Sequence, residues 1–98
     1  MSVADDLEKA ADILETDGWI RGDYVSKVGR CAVGALYAAA AEEVTSFSTR
    51  VRGAVKAMGF SREEMLIVWN DMQESGQPVI ELMKQTAKDL RNRAKPDM

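Results

Sequence analysis

One segment constrains the fold more than any other, because residues 31–41 (CAVGALYAAAA) are apolar around the whole circumference of a helix. A helix without a polar face is usually central and covered on all sides by its neighbours. Crossing a bilayer takes about 20 apolar residues, so this segment is too short to span a membrane. The segment therefore predicts a buried central helix that other helices surround.

An amphipathic helix precedes this segment, and an irregular region separates the two. The helix is indicated by apolar residues at spacings of three and four, namely Val3, Leu7, Ala11 and Leu14. Gly18 supplies the left-handed residue that ends it. Residues 19–30 (WIRGDYVSKVGR) lose the helical period and carry strand-type side chains broken by glycines, which predicts a short hairpin or an ordered loop.

Three further amphipathic helices are predicted after the central segment. The first of them begins at Ser46 or Ser48 and ends at Gly59. The next follows a capping box of Ser61 and Glu64, and its predicted buried stripe is Met65, Val68, Trp69 and Met72. The last helix has the most regular stripe, formed by Val79, Leu82, Met83, Thr86, Ala87 and Leu90.

The predicted fold is all-α, with four to five helices around the Ala-rich helix. A chain of 98 residues has room for one core, and 46% hydrophobic with 30% charged residues is a globular rather than a disordered composition. We assign residues 1–94 to a single helical domain and residues 95–98 to a short polar tail. We expect a cytoplasmic protein, because the N-terminal stretch lacks the basic cluster of a signal peptide.

The composition removes the commonest catalytic and metal-binding arrangements. The chain has no histidine, which is the commonest general base and metal ligand. Its single cysteine cannot form an intrachain disulfide or a multi-cysteine zinc site. Since no residue set combines a nucleophile, a base and an orienting group, we expect no catalytic residues, no cofactor and no metal.

Cys31 has two interpretations. It opens the Ala-rich helix beside Arg30, and such a position lowers the pKa of a thiol and makes it more nucleophilic. A catalytic cysteine normally needs a base, however, and the neighbours of Cys31 are apolar. We favour a packed, structural cysteine and keep a reactive thiol, in an enzyme or a redox sensor, as the alternative.

Trp69, Asn70 and Asp71 form a second candidate group at a helix end. One carboxylate and one amide are too few oxygen ligands for calcium or magnesium. We interpret Trp69 as a core residue, and Asn70 and Asp71 as partners of backbone groups where one helix stops and the next starts.

The charges argue against a globally basic nucleic-acid binder, because thirteen Lys and Arg residues against sixteen Asp and Glu give a net charge of −3. The third and last helices are nevertheless basic. Their cations form either a solvated face or a partner-binding face: Arg50, Arg52, Lys56, Lys84, Lys88 and Arg91. The contrast between the acidic first helix and the basic last helix would also suit head-to-tail self-association or attraction within the chain.

Residues 51–70 have the outline of a helix-turn-helix with Gly59 in the turn. In that interpretation Glu63 and Glu64 lie early in the second helix, where carboxylates would repel phosphates. Nucleic-acid binding is therefore an alternative rather than the leading hypothesis.

Three motifs together resemble a known family. They are Gly18-Trp19, Gly29-Arg30-Cys31 running into Gly34-Ala35-Leu36, and Trp69-Asn70-Asp71. Their order resembles small uncharacterised proteins of actinobacteria and their phages, known only as a domain of unknown function, over residues 7–90. The resemblance implies no activity or cofactor. It implies a phage or actinobacterial origin, and small phage proteins of this kind often bind a host protein.

The leading hypothesis is thus a non-enzymatic protein-interaction module, phage-encoded, that binds a host or phage protein. The alternative is a helix-turn-helix-like regulator that binds nucleic acid through a basic helix face. The sequence leaves the oligomeric state open, with a homodimer as one alternative, because surplus apolar residues such as Phe60, Leu66 and Ile67 cannot all face one small core.

Overall fold

Five helices and one short pair of strands make up the part of the chain that the structure describes. This structure is a computed structural model that describes residues 3–22, 25–26, 29–40 and 47–94. The helices are α1 (Val3–Asp17), α2 (Ala32–Ala40), α3 (Phe47–Ala57), α4 (Glu63–Asp71) and α5 (Gln77–Ala94). The strands are β1 (Val25–Ser26) and β2 (Gly29–Arg30), which pair antiparallel. The predicted all-α domain is confirmed; the predicted tail at 95–98 lies outside the described residues.

The Ala-rich helix α2 is central, as its composition predicts. It packs against α1, α3 and α4. Seven of its nine residues are buried, and only Tyr37 and Ala38 reach the surface in part. Small side chains let the neighbouring helices approach closely, so α2 is the element around which the core forms.

The longest interface joins the first and last helices. α1 and α5 pack more extensively than any other pair of elements. Each contributes the stripe that its sequence predicts, with Leu7 and Ala11 fully buried on α1 and Val79 and Met83 fully buried on α5. The long amphipathic helices therefore lie where their periodicity indicates.

The turn between α3 and α4 is built on Gly59. This residue has a φ of 100°, a left-handed conformation that favours glycine. The N–H of Phe60 bonds to the carbonyl of Val55 at 3.1 Å, and the N–H of Gly59 bonds to that of Lys56 at 3.0 Å. This pair of hydrogen bonds is a Schellman motif, which ends α3 at the predicted place.

The predicted capping box of α4 is wrong. α4 begins at Glu63 with Arg62 as its N-cap residue, and no side chain caps that end of the helix. Ser61 is one position too early to cap, and its hydroxyl donates instead to the sulfur of Met65 at 2.9 Å.

The rotation of α4 also differs from the prediction. Its buried face consists of Leu66 and Asn70, with Glu63 and Ile67 half-buried beside them. These positions are spaced at i, i+3, i+4 and i+7, like the predicted stripe but on another side of the helix. Met65, Val68 and Met72 consequently face solvent. The expectation that Phe60, Leu66 and Ile67 are surplus is wrong too, because all three join the core.

The segment between α1 and α2 is tied to the end of α1. The N–H of Ile20 bonds to the carbonyl of Arg30, and the N–H of Arg30 bonds to that of Gly18, each at 3.0 Å. Gly29 lies so close to this backbone that a Cβ would stand 2.6 Å from the carbonyl of Gly18. Among the described residues, no helix is both long enough and apolar enough to span a membrane.

Candidate interaction site

The three sequence motifs meet at one buried polar contact, which we call the Asn70 junction (Trp19, Ile20, Ala32, Asn70 and Asp71). The side chain of Asn70 is 0% exposed on the inner face of α4. Its Oδ1 accepts the indole N–H of Trp19 at 2.7 Å and the N–H of Ala32 at 3.0 Å. Its Nδ2 donates to the carbonyl of Ile20 and to Oδ1 of Asp71, both at 3.2 Å.

The chemistry of these partners fixes the orientation of the amide. An indole nitrogen and a backbone nitrogen can only donate, so Oδ1 faces them. The carbonyl of Ile20 and the carboxylate of Asp71 only accept, so Nδ2 faces those. Ala32 is the first residue of α2, and the carboxamide thereby satisfies one of the N–H groups that the start of a helix leaves open.

A second contact holds the same loop to the end of α4. Asp71 accepts the backbone N–H of Gly22 at 2.9 Å. Arg21 donates to the carbonyl of Gln73 at 2.8 Å. Asn70 and Asp71 thus bond to backbone groups, as interpreted from the sequence, but those groups belong chiefly to a loop about fifty residues earlier in the chain. Trp69 packs against Phe60, with ring centroids 5.7 Å apart.

Cys31 lies beneath this junction, buried at the start of α2. Its sulfur accepts the N–H of Gly34 at 3.4 Å, as a capping side chain does. Burial raises the pKa of the Cys31 thiol, and the hydrogen bonds from Gly34 and Val33 offset this only in part. The geometry therefore favours a neutral, packed thiol over the activated one, because removal from water outweighs the helix terminus.

The six basic residues do not form one face. Three of them pair with carboxylates of α1, and these pairs are Arg50 with Asp6, Lys84 with Glu15, and Arg91 with both Asp5 and Glu8. Lys88 is exposed on α5, while Arg52 and Lys56 are exposed on α3. Of the interpretations left open by the sequence, attraction between the acidic first helix and the basic last helix describes Lys84 and Arg91. The pairing of Arg50 on α3 with the first helix was not predicted.

The pair of Asp6 and Arg50 is the most buried of these. Two hydrogen bonds join the guanidinium to the carboxylate, from Nε at 3.0 Å and from Nη2 at 2.5 Å. The two side chains are 3% and 12% exposed. Since both charges have lost most of their water, each depends on the other. Arg50 thus joins α3 to α1 and is not part of a solvent-facing surface.

Three of the charges that pair on the surface, Glu8, Lys84 and Arg91, have shifted pKa values. The hydrogen bond from Arg91 lowers the pKa of Glu8, and hydrogen bonds to Glu8 and Asp5 raise the pKa of Arg91. The hydrogen bond to Glu15 likewise raises the pKa of Lys84. These groups are held as ion pairs on the outside of the α1–α5 interface.

The outer face of α4 carries what we call the α4 stripe (Met65, Val68 and Met72). These side chains are 44%, 61% and 72% exposed, and they are the exposed large hydrophobic residues of the described chain. They recur at i, i+3 and i+7, so they lie along one side of one helix. Single exposed apolar residues are normal on a protein surface, whereas these three are aligned along one helix.

A cavity of about 330 Å³ adjoins the α4 stripe between α2, α3 and the start of α4. Its lining is polar and mostly charged: Tyr37, Arg52, Val55, Lys56, Ser61, Arg62, Glu63 and Glu64. The hydroxyl of Tyr37 donates to the carboxylate of Glu63, at 2.9 and 3.2 Å from its two oxygens. Among the described residues, no cluster of three or more His, Cys, Asp or Glu side chains could hold a metal ion.

The sequence reasoning missed the α4 stripe because it assigned Met65, Val68 and Met72 to the core. A signal was available in the alternative stripe through Leu66 and Asn70, which matches helical spacing equally well. The cavity had no sequence signal, since its lining comes from three helices and the turn between α3 and α4.

The fold and the site together define a small helical single-domain protein whose motif residues build a structural junction. The chain belongs to a family of unknown function, DUF6197, whose model matches residues 1–89. The resemblance stated from the sequence is thereby confirmed as one to an uncharacterised domain family. No curated protein and no solved structure matches the chain.

Proposed function

We propose that this protein acts by binding another protein, without catalysing a reaction, and that the α4 stripe is its contact face. The observation that carries the proposal is the alignment of Met65, Val68 and Met72 in solvent on one side of α4. Methionine suits such a face, because its flexible and polarisable side chain adapts to different partners.

The size of the stripe limits what it can contribute alone. Fully burying one such side chain is worth about 1.5–3 kcal/mol, and each of these is already partly covered. Association costs roughly 4–15 kcal/mol in lost freedom of motion, so three side chains cannot hold a stable complex by themselves. The partner must therefore also contact surface next to the stripe.

The origin and location of the protein belong to this proposal as well. A phage-encoded protein in the cytoplasm of a bacterial host would meet host proteins directly, and its unpaired cysteine suits a reducing compartment. Genes for phage structural or early proteins on either side of its own would support this origin.

Site-specific photo-crosslinking tests the contact face. A benzophenone amino acid is placed at Val68 in one variant and at Gln85, exposed on α5, in the control. We expect a defined host or phage protein to crosslink at position 68 and not at 85, and the crosslink to be lost when Met72→Glu is added. Equal labelling at both positions would contradict the proposal. A crosslink to the chain itself alone would assign the stripe to a homodimer.

Nucleic-acid binding is the second candidate, and exposed Arg52 and Lys56 on α3 are the observation in its favour. Neither has an ion-pair partner among the described residues. In a helix-turn-helix, α4 would be the recognition helix. Its outer face carries Glu64 and the α4 stripe, which cannot donate hydrogen bonds to base edges. A gel-shift assay at low salt tests this candidate, because phosphate contacts weaken steeply as salt increases.

A further inference from the structure

We propose that the partner presents an acidic amphipathic segment, with a carboxylate in the cavity beside Arg52 and Lys56 and its apolar side chains on the α4 stripe. This inference rests on the proposed function and specifies the chemistry of the partner. It combines two neighbouring features of the described surface, the cavity and the α4 stripe.

The charges that line the cavity favour binding of an acidic group from a partner. Three cations line it, and Arg52 and Lys56 lie one helical turn apart on α3. Of the two carboxylates in the lining, Glu63 already accepts the hydroxyl of Tyr37. Glu64 lies 3.9 Å from Arg62 in an exposed pair. Arg52 and Lys56 thus have no carboxylate partner among the described residues, and a carboxylate from outside would complement them.

The cavity and the α4 stripe form one continuous surface. Ser61 lines the cavity, and its hydroxyl bonds to the sulfur of Met65 at 2.9 Å. From Met65 to Met72 the helix advances seven residues, about 10 Å. A helical partner segment of two turns covers that length, and an acidic residue one turn beyond it would reach the cavity.

The volume of the cavity agrees with a side chain rather than a large free ligand. At about 330 Å³ it lies at the lower end of the range of roughly 300–1,000 Å³ that small-molecule sites occupy. Its lining has one aliphatic side chain, Val55, and the rest of its apolar area belongs to the carbon atoms of polar and charged side chains. A carboxylate on a tethered segment needs little such area, because the stripe supplies the apolar contact.

Selection of peptides on the intact protein tests this chemistry while the partner is still unidentified. The probe is a phage-displayed library of random 16-residue peptides, selected on the full chain and followed by fluorescence anisotropy of the enriched peptides. We expect an Asp or Glu one turn away, on either side in sequence, from apolar residues spaced at three and four. Lys56→Glu should weaken binding about 5-fold, and Arg52→Glu with Lys56→Glu about 10-fold or more.

Charge exchange and a matched control complete the experiment. Replacing the peptide acid by lysine should restore binding to the Lys56→Glu variant, whereas Lys88→Glu on α5 should leave binding unchanged. Peptides that require Val68 but neither an acid nor Lys56 would overturn this inference and leave the proposed function standing. Failure to enrich any peptide that depends on Val68 would overturn both.

Discussion

The carboxamide of Asn70 accepts the indole N–H of Trp19 at 2.7 Å, across 51 positions of sequence. The same oxygen accepts the first N–H of α2, so one side chain joins α4, α2 and the loop after α1. Each of the three motifs noted in the sequence lies at this contact. We therefore assign their residues a structural role, distinct from the outer face of α4.

Asn70→Ala should destabilise the protein strongly. It leaves the N–H groups of Trp19 and Ala32 buried without an acceptor, and we expect the free energy of unfolding to fall by about 2–4 kcal/mol. Trp19→Phe removes one donor and keeps the other, so it should cost less. Urea unfolding followed by circular dichroism measures both, with exposed Gln85→Ala as the control.

Asn70→Asp gives a sharper test of the amide orientation. The new carboxylate oxygen would face the carbonyl of Ile20 and the carboxylate of Asp71, which both repel it. We expect a loss of stability at pH 7 that shrinks as the pH falls, because the introduced carboxyl group can again donate once it is protonated. A loss independent of pH would contradict the assigned orientation.

Removing one partner of the buried ion pair between Asp6 on α1 and Arg50 on α3 should destabilise the protein more than replacing both partners. Asp6→Ala leaves the charge of Arg50 nearly buried, and we expect a loss of about 2–4 kcal/mol. The double variant Asp6→Leu with Arg50→Met should be more stable than Asp6→Ala. Chemical denaturation of the wild type, Asp6→Leu, Arg50→Met and the double variant measures the coupling, and strictly additive losses would show that the two side chains are not coupled.

Two glycine substitutions should change stability in opposite directions. A Cβ on Gly29 would stand 2.6 Å from the backbone of Gly18, so Gly29→Ala forces the loop apart. A Cβ on Gly53, inside α3, meets Val3 at 3.4 Å and gains helix propensity. We expect Gly53→Ala to raise the free energy of unfolding by about 0.5–1 kcal/mol and Gly29→Ala to lower the melting temperature.

The thiol of Cys31 should react slowly in the native protein. Burial excludes reagent and raises its pKa, so a thiol reagent such as Ellman's should label it only after urea is added. Because the folded-state pKa is raised, this group should make stability fall as pH rises above about 8.5, the ordinary pKa of a thiol. The fall should be absent in Cys31→Ala. Rapid labelling at pH 7 would instead support the reactive-thiol interpretation.

The surface pairs of Arg91 should be visible by titration. The hydrogen bond from Arg91 lowers the pKa of Glu8, so a carboxyl carbon NMR titration should find it below the value in an Arg91→Gln variant. A group with a lowered folded-state pKa stabilises the protein at neutral pH and loses that contribution on acidification. The difference between the two proteins should decrease in 1 M salt, which screens exposed charges.

The long helices could be predicted from the sequence because their hydrophobic periodicity allows one choice of buried face. α5 runs for eighteen residues with a single apolar stripe, and the α2 segment has no polar face to place in water. The opposite charges of the acidic first helix and the basic last helix also suggested that the two attract each other. The partner of each cation could not be assigned, since the contacts of Arg50 and Arg91 depend on the angles between helices.

The short helix α4 shows where sequence reasoning stops. In nine residues it carries two apolar stripes that share the same spacing, one through Met65 and Val68, the other through Leu66 and Asn70. Hydrophobicity favours the first stripe, because the second includes an amide. Only the presence of Trp19 and the start of α2 at the same place makes the amide acceptable inside, and that arrangement depends on the tertiary structure.

The buried amide of Asn70 therefore fixes the rotation of α4 about its own axis. The three hydrogen bonds of Asn70 with Trp19, Ile20 and Ala32 form at a single rotational setting of α4, and a leucine at the same position would hold the helix inward without selecting that setting. With the amide of Asn70 buried, Met65, Val68 and Met72 remain exposed to solvent. An α4 with only apolar residues on its inner face could rotate about its axis and bury them instead.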